Sequence, residues 1–312
     1  MDFEAHRAEL TAYCYRMLGS VHDAEDLVQE TLLRAWKARD RYDPSRASVR
    51  TWLYRIATNV CLTALESRKR RPLPSGIGAA SSDTEAPLKP ALDVPWLEPF
   101  PDARFSVEAR ADLRLAWVAA VQELPARQRA VLVLRDVLEF SAAEVAEQLE
   151  TTVAAVNSAL QRARVAVRGV EKPEAVREAD DPEQRAVVER YLRAFEDADV
   201  PALVRLLADD VIMEMPPVPL WYQGRDDYAR FMERVFRLVG TGWSARLTTA
   251  NGQSAMAAYA ADPALGGGHR AHTLQVFSIA EGLVTANVVF ADTSIFEVFG
   301  LPAMSGGGAP GR

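Results

Sequence analysis

The segment TTVAAVNSALQRAR, residues 151–164, carries side chains that could read DNA bases. Its apolar residues recur at helical spacing from Val153 to Val167, which places the polar ones on the opposite face of a helix. Asparagine and glutamine can pair with adenine in the major groove, arginine with guanine or phosphate, and serine with either a base or the backbone. The alternative is an ordinary helix with a solvated polar face. The outward-facing candidates are Thr152, Ala155, Asn157, Ser158, Gln161, Arg162 and Arg164.

A second set of residues suits unpaired nucleic acid. The segment RTWLYRIATNVCLTALESRKRR, residues 50–71, combines aromatic rings, an amide and a basic end. Flat rings can stack on an unpaired base, and the cations can follow the phosphates. A tryptophan in a helix is as often a core residue, so both interpretations of Trp52 stay open. The candidates are Trp52, Arg55, Asn59, Arg68, Lys69, Arg70 and Arg71.

A third candidate surface is acidic. In the segment DAEDLVQETLLRAW, residues 23–36, several side chains share one helical face and form an acidic ridge with an apolar edge. Such a ridge could bind a protein partner, and the alternative is a solvated helix surface. The candidates are Asp23, Asp26, Gln29, Glu30 and Leu33.

Metal and thiol chemistry have little support in the sequence. The two cysteines, Cys14 and Cys61, lie in apolar helical patterns and form no CxxC pair, so we expect buried free thiols. His269 and His272 are an odd number of residues apart in a predicted strand, which points them to opposite faces. A two-histidine site would also lack further ligands. We predict no metal site and no cofactor.

Composition limits the class of protein. With 312 residues, 49% of them hydrophobic, the chain can bury more than one core. A net charge of −7 argues against coating nucleic acid by bulk electrostatics, so any DNA contact needs local basic patches. Acids stand where a secretory signal would carry bases, and no apolar run approaches the roughly 20 residues that span a bilayer. We expect a soluble cytoplasmic protein that does not bind membranes.

Local signals place the candidates on helices. Ser141 followed by Glu144 is a capping-box pattern, and Thr151 or Thr152 can cap the next helix, which predicts a helix-turn-helix. Residues 72–105 are rich in proline, glycine, serine and acids, and a cluster of Trp96, Leu97 and Phe100 in them is a candidate for docking. Extended at about 3.3 Å per residue, this stretch could span on the order of 100 Å.

The predicted fold class is multidomain, with two all-α domains followed by an α+β domain. The α+β domain is predicted because helices come first and β-rich segments follow. The predicted boundaries are a helical bundle at 1–71, a flexible acidic linker at 72–105, the helix-turn-helix domain at 106–170, a charged linker at 171–181, the α+β domain at 182–303 and a disordered tail at 304–312.

Two blocks resemble the sigma-70 family of RNA polymerase sigma factors. The run LPARQRAVLVLRDVLEFSAAEVAEQLETTVAAVNSALQRARVAV is similar to region 4, and AYCYRMLGSVHDAEDLVQETLLRAW with SVRTWLYRIATNVCLTALESRKRR is similar to region 2. Their order without a region 3 resembles the extracytoplasmic-function (ECF) group. The resemblance implies that the acidic ridge binds the clamp helices of the polymerase β′ subunit and residues 50–71 hold the −10 element. It also implies that region 4 reads the −35 element and meets the β flap.

The chain departs from this family at positions that bear on promoter choice. Many ECF relatives carry basic residues where this chain has Asn157 and Ala159, and an acid where it has Thr63. Fewer cations should weaken the grip on phosphates and its salt dependence. The promoter sequence therefore cannot be transferred from relatives.

The last third resembles the SnoaL-like, or nuclear-transport-factor-2-like, superfamily, through YLRAFEDADVPALVRLLADDVIMEMPPVPLWYQGRDDYARFM and the order of elements. The resemblance implies a cone of bent sheet wrapped by helices, with a pocket that could hold a small apolar ligand. Enzymes of this fold use a buried proton acceptor, for which the candidates are Glu214, Tyr222, Asp226 and Asp292. The candidate pocket residues are Glu214, Trp221, Tyr222 and Phe290.

The sequence thus favours a non-enzymatic ECF-type sigma factor that binds core RNA polymerase and promoter DNA and is controlled in cis by its SnoaL-like domain. One alternative is a stand-alone helix-turn-helix regulator, which would bind duplex DNA without polymerase. Another is a SnoaL-like enzyme fused to a transcription module, since fold analogy does not transfer chemistry.

Overall fold

The computed structural model describes residues 2–67, 70–104, 113–170 and 181–305. The chain forms two compact units, the first made of Met1–Arg71 and Ala103–Val176 and the second of Pro72–Asp102 and Arg177–Arg312. The segment Pro72–Asp102, which we call the strap, therefore belongs to the second unit. This differs from the expectation of a flexible linker.

None of the helices in the described ranges is both long enough and apolar enough to cross a membrane.

The first unit begins with a three-helix bundle: α1 Arg7–Leu18, α2 Val21–Ala38 and α3 Val49–Glu66. Ser20 and Ser48 cap α2 and α3, because their side chains accept hydrogen bonds from backbone N–H groups of the first turns. Gly19 ends α1 with a φ of 68°, a left-handed conformation that glycine adopts without strain. The bundle confirms the predicted helical N-terminal domain.

The two thiols lie inside this bundle. Cys14 and Cys61 are fully buried, with their Sγ atoms 3.7 Å apart. The hydrogen bond between the thiols and their burial raise the pKa of Cys14, which disfavours the reactive thiolate. We expect Ellman's reagent to modify both thiols at least about 100-fold more slowly in the native protein than in urea, followed by absorbance at 412 nm. Rapid reaction of either thiol before unfolding would contradict this packing.

Four further helices in the described part of the first unit form the helix-turn-helix group. They are α4 Leu115–Gln122, α5 Ala126–Leu132, which continues into a π-helical turn at Val133–Val137, α6 Ala142–Gln148 and α7 Val153–Ala166. The predicted capping box is present: Ser141 Oγ accepts from Glu144 N at 3.2 Å, and Glu144 Oε2 accepts from Ser141 N at 2.8 Å. Thr152 caps α7. The helix-turn-helix is where the local signals predicted it.

The predicted apolar stripe of α7 is shorter in the structure. Val156, Leu160 and Ala163 are buried, as the helical spacing predicts. Val153 is the first residue of the helix and is 44% exposed, and Val167 lies beyond its last turn and is half-buried. The stripe therefore anchors the middle of α7.

A buried arginine joins the helix-turn-helix group to the bundle. Arg129 of α5 is 3% exposed and donates hydrogen bonds to Met17 O of α1 and to Gln122 Oε1, the second at 2.6 Å. Gln122 in turn donates to Arg16 O at 3.2 Å. Burial lowers the pKa of Arg129 to about 10, so the group remains charged at neutral pH. Because a buried guanidinium without these acceptors is costly, the contact fixes how the two helix groups pack.

The second unit is the predicted α+β domain. Its strands pair in the order β2-β1-β6-β5-β4-β3, antiparallel except for β1 with β6, and β7 pairs with β5. Register shifts in the β1–β6, β4–β5 and β5–β6 pairs mark irregularities of the kind that bend a sheet. The helices are α8 Pro182–Glu196, α9 Val200–Val204, α10 Arg225–Val239 and α11 Ile295–Val298. The strands are β1 Leu207–Glu214, β2 Trp221–Gln223, β3 Trp243–Ala250, β4 Gln253–Ala261, β5 His269–Ala280, β6 Leu283–Phe290 and β7 Met304–Ser305.

Candidate functional sites

The acidic ridge is an exposed face of α2. Asp26, Gln29 and Leu33 point away from the buried face, and Leu33 is 46% exposed. Trp36 continues the same face, is 58% exposed, and has the Arg39 guanidinium 4.3 Å from its ring centroid. Two exposed large apolar side chains beside carboxylates form a surface of the composition that suits a protein interface. Sequence reasoning missed Trp36, although its spacing of three residues from Leu33 could have revealed it.

Two predicted members of the ridge are engaged in ion pairs. Glu30 pairs with Arg34 one helical turn away, at 2.6 Å. Asp23 pairs with Arg71 at 2.6 Å, and both side chains are 16% exposed. Asp23 is a predicted polymerase-binding residue, and Arg71 is a predicted DNA-binding residue. The structure brings them together, so this pair connects the start of α2 to the basic end that follows α3.

The predicted −10 residues lie along α3 and just beyond it. Trp52 is half-buried, with its ring 5.9 Å from Phe3 and 5.2 Å from Tyr42, centroid to centroid. It therefore serves packing while keeping part of its ring accessible. Asn59 is exposed. Arg68 and Lys69 lie outside the described residues.

The −10 cations face acids of the helix-turn-helix group. Arg55 lies 3.4 Å from a carboxylate oxygen of Glu150 and 3.8 Å from one of Glu147. Arg70 pairs with Glu123 at the end of α4. Exposed pairs of this kind contribute about 1 kcal/mol or less each. In this packing, the predicted DNA-binding cations that the structure describes, Arg55, Arg70 and Arg71, are paired with carboxylates.

The predicted −35 residues line the outer face of α7. Ala155, Asn157, Ser158, Gln161 and Arg162 are all exposed. The face offers two amides, a hydroxyl and a guanidinium within about three helical turns, which suits base edges in a major groove.

Two residues of the predicted −35 set have structural roles. Thr152 Oγ1 accepts from Ala155 N at 3.2 Å and so starts the helix. Arg164 makes a bidentate pair with Asp136, at 2.6 and 2.7 Å, and ties α7 to the π-helical turn. Each therefore orients the outer face of α7.

The strap follows the surface of the second unit through repeated polar contacts. Near its start, Ser75 N donates to Glu214 Oε1 at 2.8 Å, and Gly78 O accepts from Trp221 Nε1 at 2.9 Å. In its middle, Arg234 donates to Thr84 O at 2.7 Å. The predicted docking cluster is buried, since Trp96, Leu97 and Phe100 are 8%, 1% and 0% exposed. At its end, Phe100 N donates to Asn251 Oδ1 at 2.7 Å.

The strap also closes on itself. Leu97 N donates to Pro72 O at 3.1 Å, so positions 25 residues apart in the chain are adjacent in space. Fully extended, the same stretch would span on the order of 80 Å. Docking therefore removes most of the reach that the segment would have as a free linker.

The four candidate pocket residues do not form one pocket. Glu214, Trp221 and Tyr222 contact the strap, with Tyr222 OH donating to Asp83 O at 3.3 Å. Phe290 is 4% exposed and lies in the core. Burial raises the pKa of Glu214, while the Ser75 N–H opposes that shift. Asp226 and Asp292, the other candidate proton acceptors, are exposed.

A different set of residues lines a cavity of about 160 Å³ in the second unit. Its walls are largely apolar and come from Met213 of β1 and Met215 just beyond it, from alternate residues of β6 and from one face of α10. The strap contributes Leu88 to the lining. Polar groups gather on β5 and β6, where His272, Gln275 and Asn287 also line the space. An apolar cavity was predicted in this domain, but none of the four predicted pocket residues lines it.

Within the described part of the chain, no cluster of three or more His, Cys, Asp or Glu side chains could hold a metal ion. His269 and His272 are both on β5, as predicted. The His272 ring makes an edge contact with Trp243, at 5.0 Å between centroids, and burial lowers its pKa. Its surroundings therefore favour the neutral imidazole.

Comparison with known proteins places these surfaces in a family. Residues 3–71 match the model for Sigma-70 region 2, residues 114–167 that for Sigma-70, region 4, and residues 188–287 that for the SnoaL-like domain. The ECF RNA polymerase sigma factor SigJ of Mycobacterium tuberculosis is 32% identical over 248 residues, covering 77% of this chain and 74% of the relative. The crystal structure of that organism's SigJ aligns with a TM-score of 0.66 and 27% identity, covering 97% of this chain and 99% of that one.

A second relative matches more of the sequence. The ECF RNA polymerase sigma factor SigG of Mycobacterium tuberculosis is 47% identical over 316 residues, and the alignment covers 96% of this chain and 84% of the relative. Both sigma regions and the SnoaL-like domain occur here in one polypeptide, in that order. The chain therefore belongs to the ECF RNA polymerase sigma factors and carries a SnoaL-like domain at its C-terminal end.

Proposed function

We propose that this protein binds core RNA polymerase in the cytoplasm, directs it to a specific set of promoters, and is held back in cis by docking of its strap on the SnoaL-like domain. The α2 face with Leu33 and Trp36 binds the polymerase, by resemblance through the β′ clamp helices. The exposed face of α7 reads the −35 element, and α3 with the basic end after it holds the −10 element.

The main support for regulation in cis is that the two ends of the docked strap are joined by a hydrogen bond. Promoter elements named −10 and −35 are about 25 base pairs apart, which is about 85 Å at 3.4 Å per base pair. A strap whose ends are joined by the Leu97 N to Pro72 O hydrogen bond cannot provide that span. Release of the strap restores a reach on the order of 80 Å. The docked strap is thus the closed state, and promoter binding requires the released state.

The first unit supports the same conclusion from its own contacts. The DNA-facing cations Arg55 and Arg70 pair with carboxylates of the helix-turn-helix group. Because each exposed pair contributes only about 1 kcal/mol or less, polymerase and DNA can replace them. The buried Arg129 contacts are the stronger restraint on separation of the two helix groups.

The SnoaL-like domain acts here as a regulator without a reaction of its own. Its most buried candidate proton acceptor, Glu214, accepts a hydrogen bond from the strap and does not line the cavity. The polar network that borders the cavity joins Tyr191, Tyr228, Gln275 and Asn287 and contains no carboxylate among its described members. This network therefore supplies no carboxylate base, and the His272 imidazole in the cavity wall has no described hydrogen-bond partner at Nδ1 that would orient it as one.

Run-off transcription with core polymerase tests the assignment. On promoters recovered from cells that overproduce the protein, we expect the full chain to support initiation well above core polymerase alone. The matched control is a chain with Asn157, Gln161 and Arg162 replaced by alanine, which keeps the helix but removes its base-reading groups; it should lose promoter selectivity. Duplex binding without any stimulation of polymerase would overturn the proposal and favour a stand-alone regulator.

A further inference from the structure

We propose that the cavity of the SnoaL-like domain binds a small neutral molecule that has an apolar ring and one hydroxyl group, and that Leu88 of the strap forms part of its wall. A bound molecule then holds the strap in its docked position. The binding site stands independently of the sigma-factor assignment, whereas its effect on transcription rests on the proposed control in cis.

The size and lining of the cavity define the ligand class. A volume of about 160 Å³ suits a single ring with one or two substituents, since apolar cavities near 150 Å³ hold benzene. Met213, Met215 and Phe231 give walls that are adaptable and apolar. Among the described lining residues, Arg234 carries the permanent charge, and its guanidinium donates to the strap carbonyls of Thr84 and Ala86. A charged ligand would therefore lose its hydration without gaining a free counter-ion.

The polar end of the ligand follows from two atoms without partners. Asn287 is fully buried, and its Nδ2 donates to Tyr228 OH at 2.8 Å and to Gln275 Oε1 at 2.9 Å. Its Oδ1 has no hydrogen-bond partner among the described residues, and neither has Nδ1 of His272. Buried polar groups are rarely left unpaired. A ligand hydroxyl can pair with either of these atoms, by donating to Asn287 Oδ1 or by bonding to His272 Nδ1.

The coupling to the strap follows from Leu88. This side chain lines the cavity and is 40% exposed, while the strap on either side is held by Arg234 and by the hydrogen bond from Ala91 N to Pro217 O. A ligand that contacts Leu88 binds the docked strap better than the released one. By linkage, it must stabilise docking by the same factor.

Binding is tested on the full chain with three probes of similar ring size: p-cresol, toluene and benzoate. Titrations followed by ligand-observed NMR should give p-cresol a Kd about 2 to 10 times lower than that of toluene, which is the net value of one hydrogen bond. Benzoate should not bind measurably. Val235→Phe fills the cavity and should abolish p-cresol binding, while Glu233→Phe, on the exposed side of the same helix, should leave it unchanged. Equal affinity of p-cresol for Val235→Phe and Glu233→Phe would show that it does not bind in this cavity and would overturn the proposed site.

A second pair of variants tests the strap wall. Leu88→Ala should weaken p-cresol binding about three- to tenfold by removing apolar contact. Leu92→Ala, a change to an 84% exposed leucine of the same strap outside the cavity lining, should have no effect. At ten times Kd, p-cresol should slow amide hydrogen exchange in residues 83–91 by about two- to sixfold, because the released strap binds it about three- to tenfold more weakly, and should not slow it in Val235→Phe.

The outcomes separate the two proposals. Binding without slower strap exchange, or equal affinities of the two leucine variants, would contradict the coupling but leave the cavity site standing. These readouts need no polymerase, so failure of the sigma-factor proposal in run-off transcription would leave them unchanged. Failure of p-cresol, toluene and benzoate alike to bind would overturn the inference while the proposed function stood.

Discussion

Replacing Leu33 by aspartate and Trp36 by alanine lowers the affinity for core RNA polymerase by about 100-fold, equivalent to about 3 kcal/mol, and reduces run-off transcription accordingly. Both side chains are about half exposed on one face of α2, where nothing in the bundle requires them. Exposed tryptophan and leucine side chains that become buried in a partner are typical binding hot spots. The affinity is measured by fluorescence-detected titration of labelled protein with core polymerase.

The matched control is Arg34→Ala, which is exposed on the same helix but rotated by about 100° from Leu33 and about 160° from Trp36. It should change the affinity less than threefold. Thermal melts of all variants should agree within about 0.5 kcal/mol, because surface substitutions away from packing rarely alter stability more. An affinity that the double variant leaves unchanged would move the polymerase interface away from this face of α2.

Local signals predicted the helical parts of the molecule because their causes are local. Ser141 and Glu144 cap α6 through hydrogen bonds that span three residues, and Thr152 caps α7 in the same way. The α2 ridge and the outer face of α7 follow from helical spacing alone. Trp36 extends the predicted face but was not predicted, because the ridge was defined by its charged side chains.

The strap and the cavity could not be predicted in this way. Glu214 meets Ser75 across 139 positions of sequence, and Arg234 meets Thr84 across 150. Nothing in the proline-rich composition of residues 72–105 encodes those partners, and that composition is equally typical of a free linker. The buried cluster of Trp96, Leu97 and Phe100 was the one apolar sign of docking that the segment carried. Glu214 was assigned to a pocket because a buried carboxylate suggests chemistry, whereas it receives the strap.

Arg234→Met releases the strap and raises run-off transcription by the full chain, by about tenfold. The Arg234 guanidinium is 7% exposed and donates to Thr84 O at 2.7 Å and to Ala86 O at 2.8 Å. Hydrogen bonds to charged groups contribute about 1.5–3 kcal/mol, so their loss shifts the docking equilibrium about 10- to 100-fold toward release. Methionine retains the length and apolar character of the side chain, which limits damage to the core of the domain.

The control is Arg230→Met, one helical turn earlier on α10, whose guanidinium pairs with Asp227 and makes no described contact with the strap. It should leave transcription and strap exchange unchanged. In Arg234→Met, amide hydrogen exchange of residues 72–102 should accelerate, and Trp221→Phe, which removes the donor to Gly78 O, should add to the effect.

Run-off transcription and amide hydrogen exchange together decide whether docking of the strap inhibits or assists transcription. Faster exchange with higher transcription means that docking inhibits, because the released strap gains the reach that two separated promoter elements require. Faster exchange with lower transcription would reverse the proposal, since the docked strap would then assist assembly of the initiation complex. Unchanged exchange would mean that the contacts along the rest of the strap, from Ser75 to Phe100, hold it without Arg234.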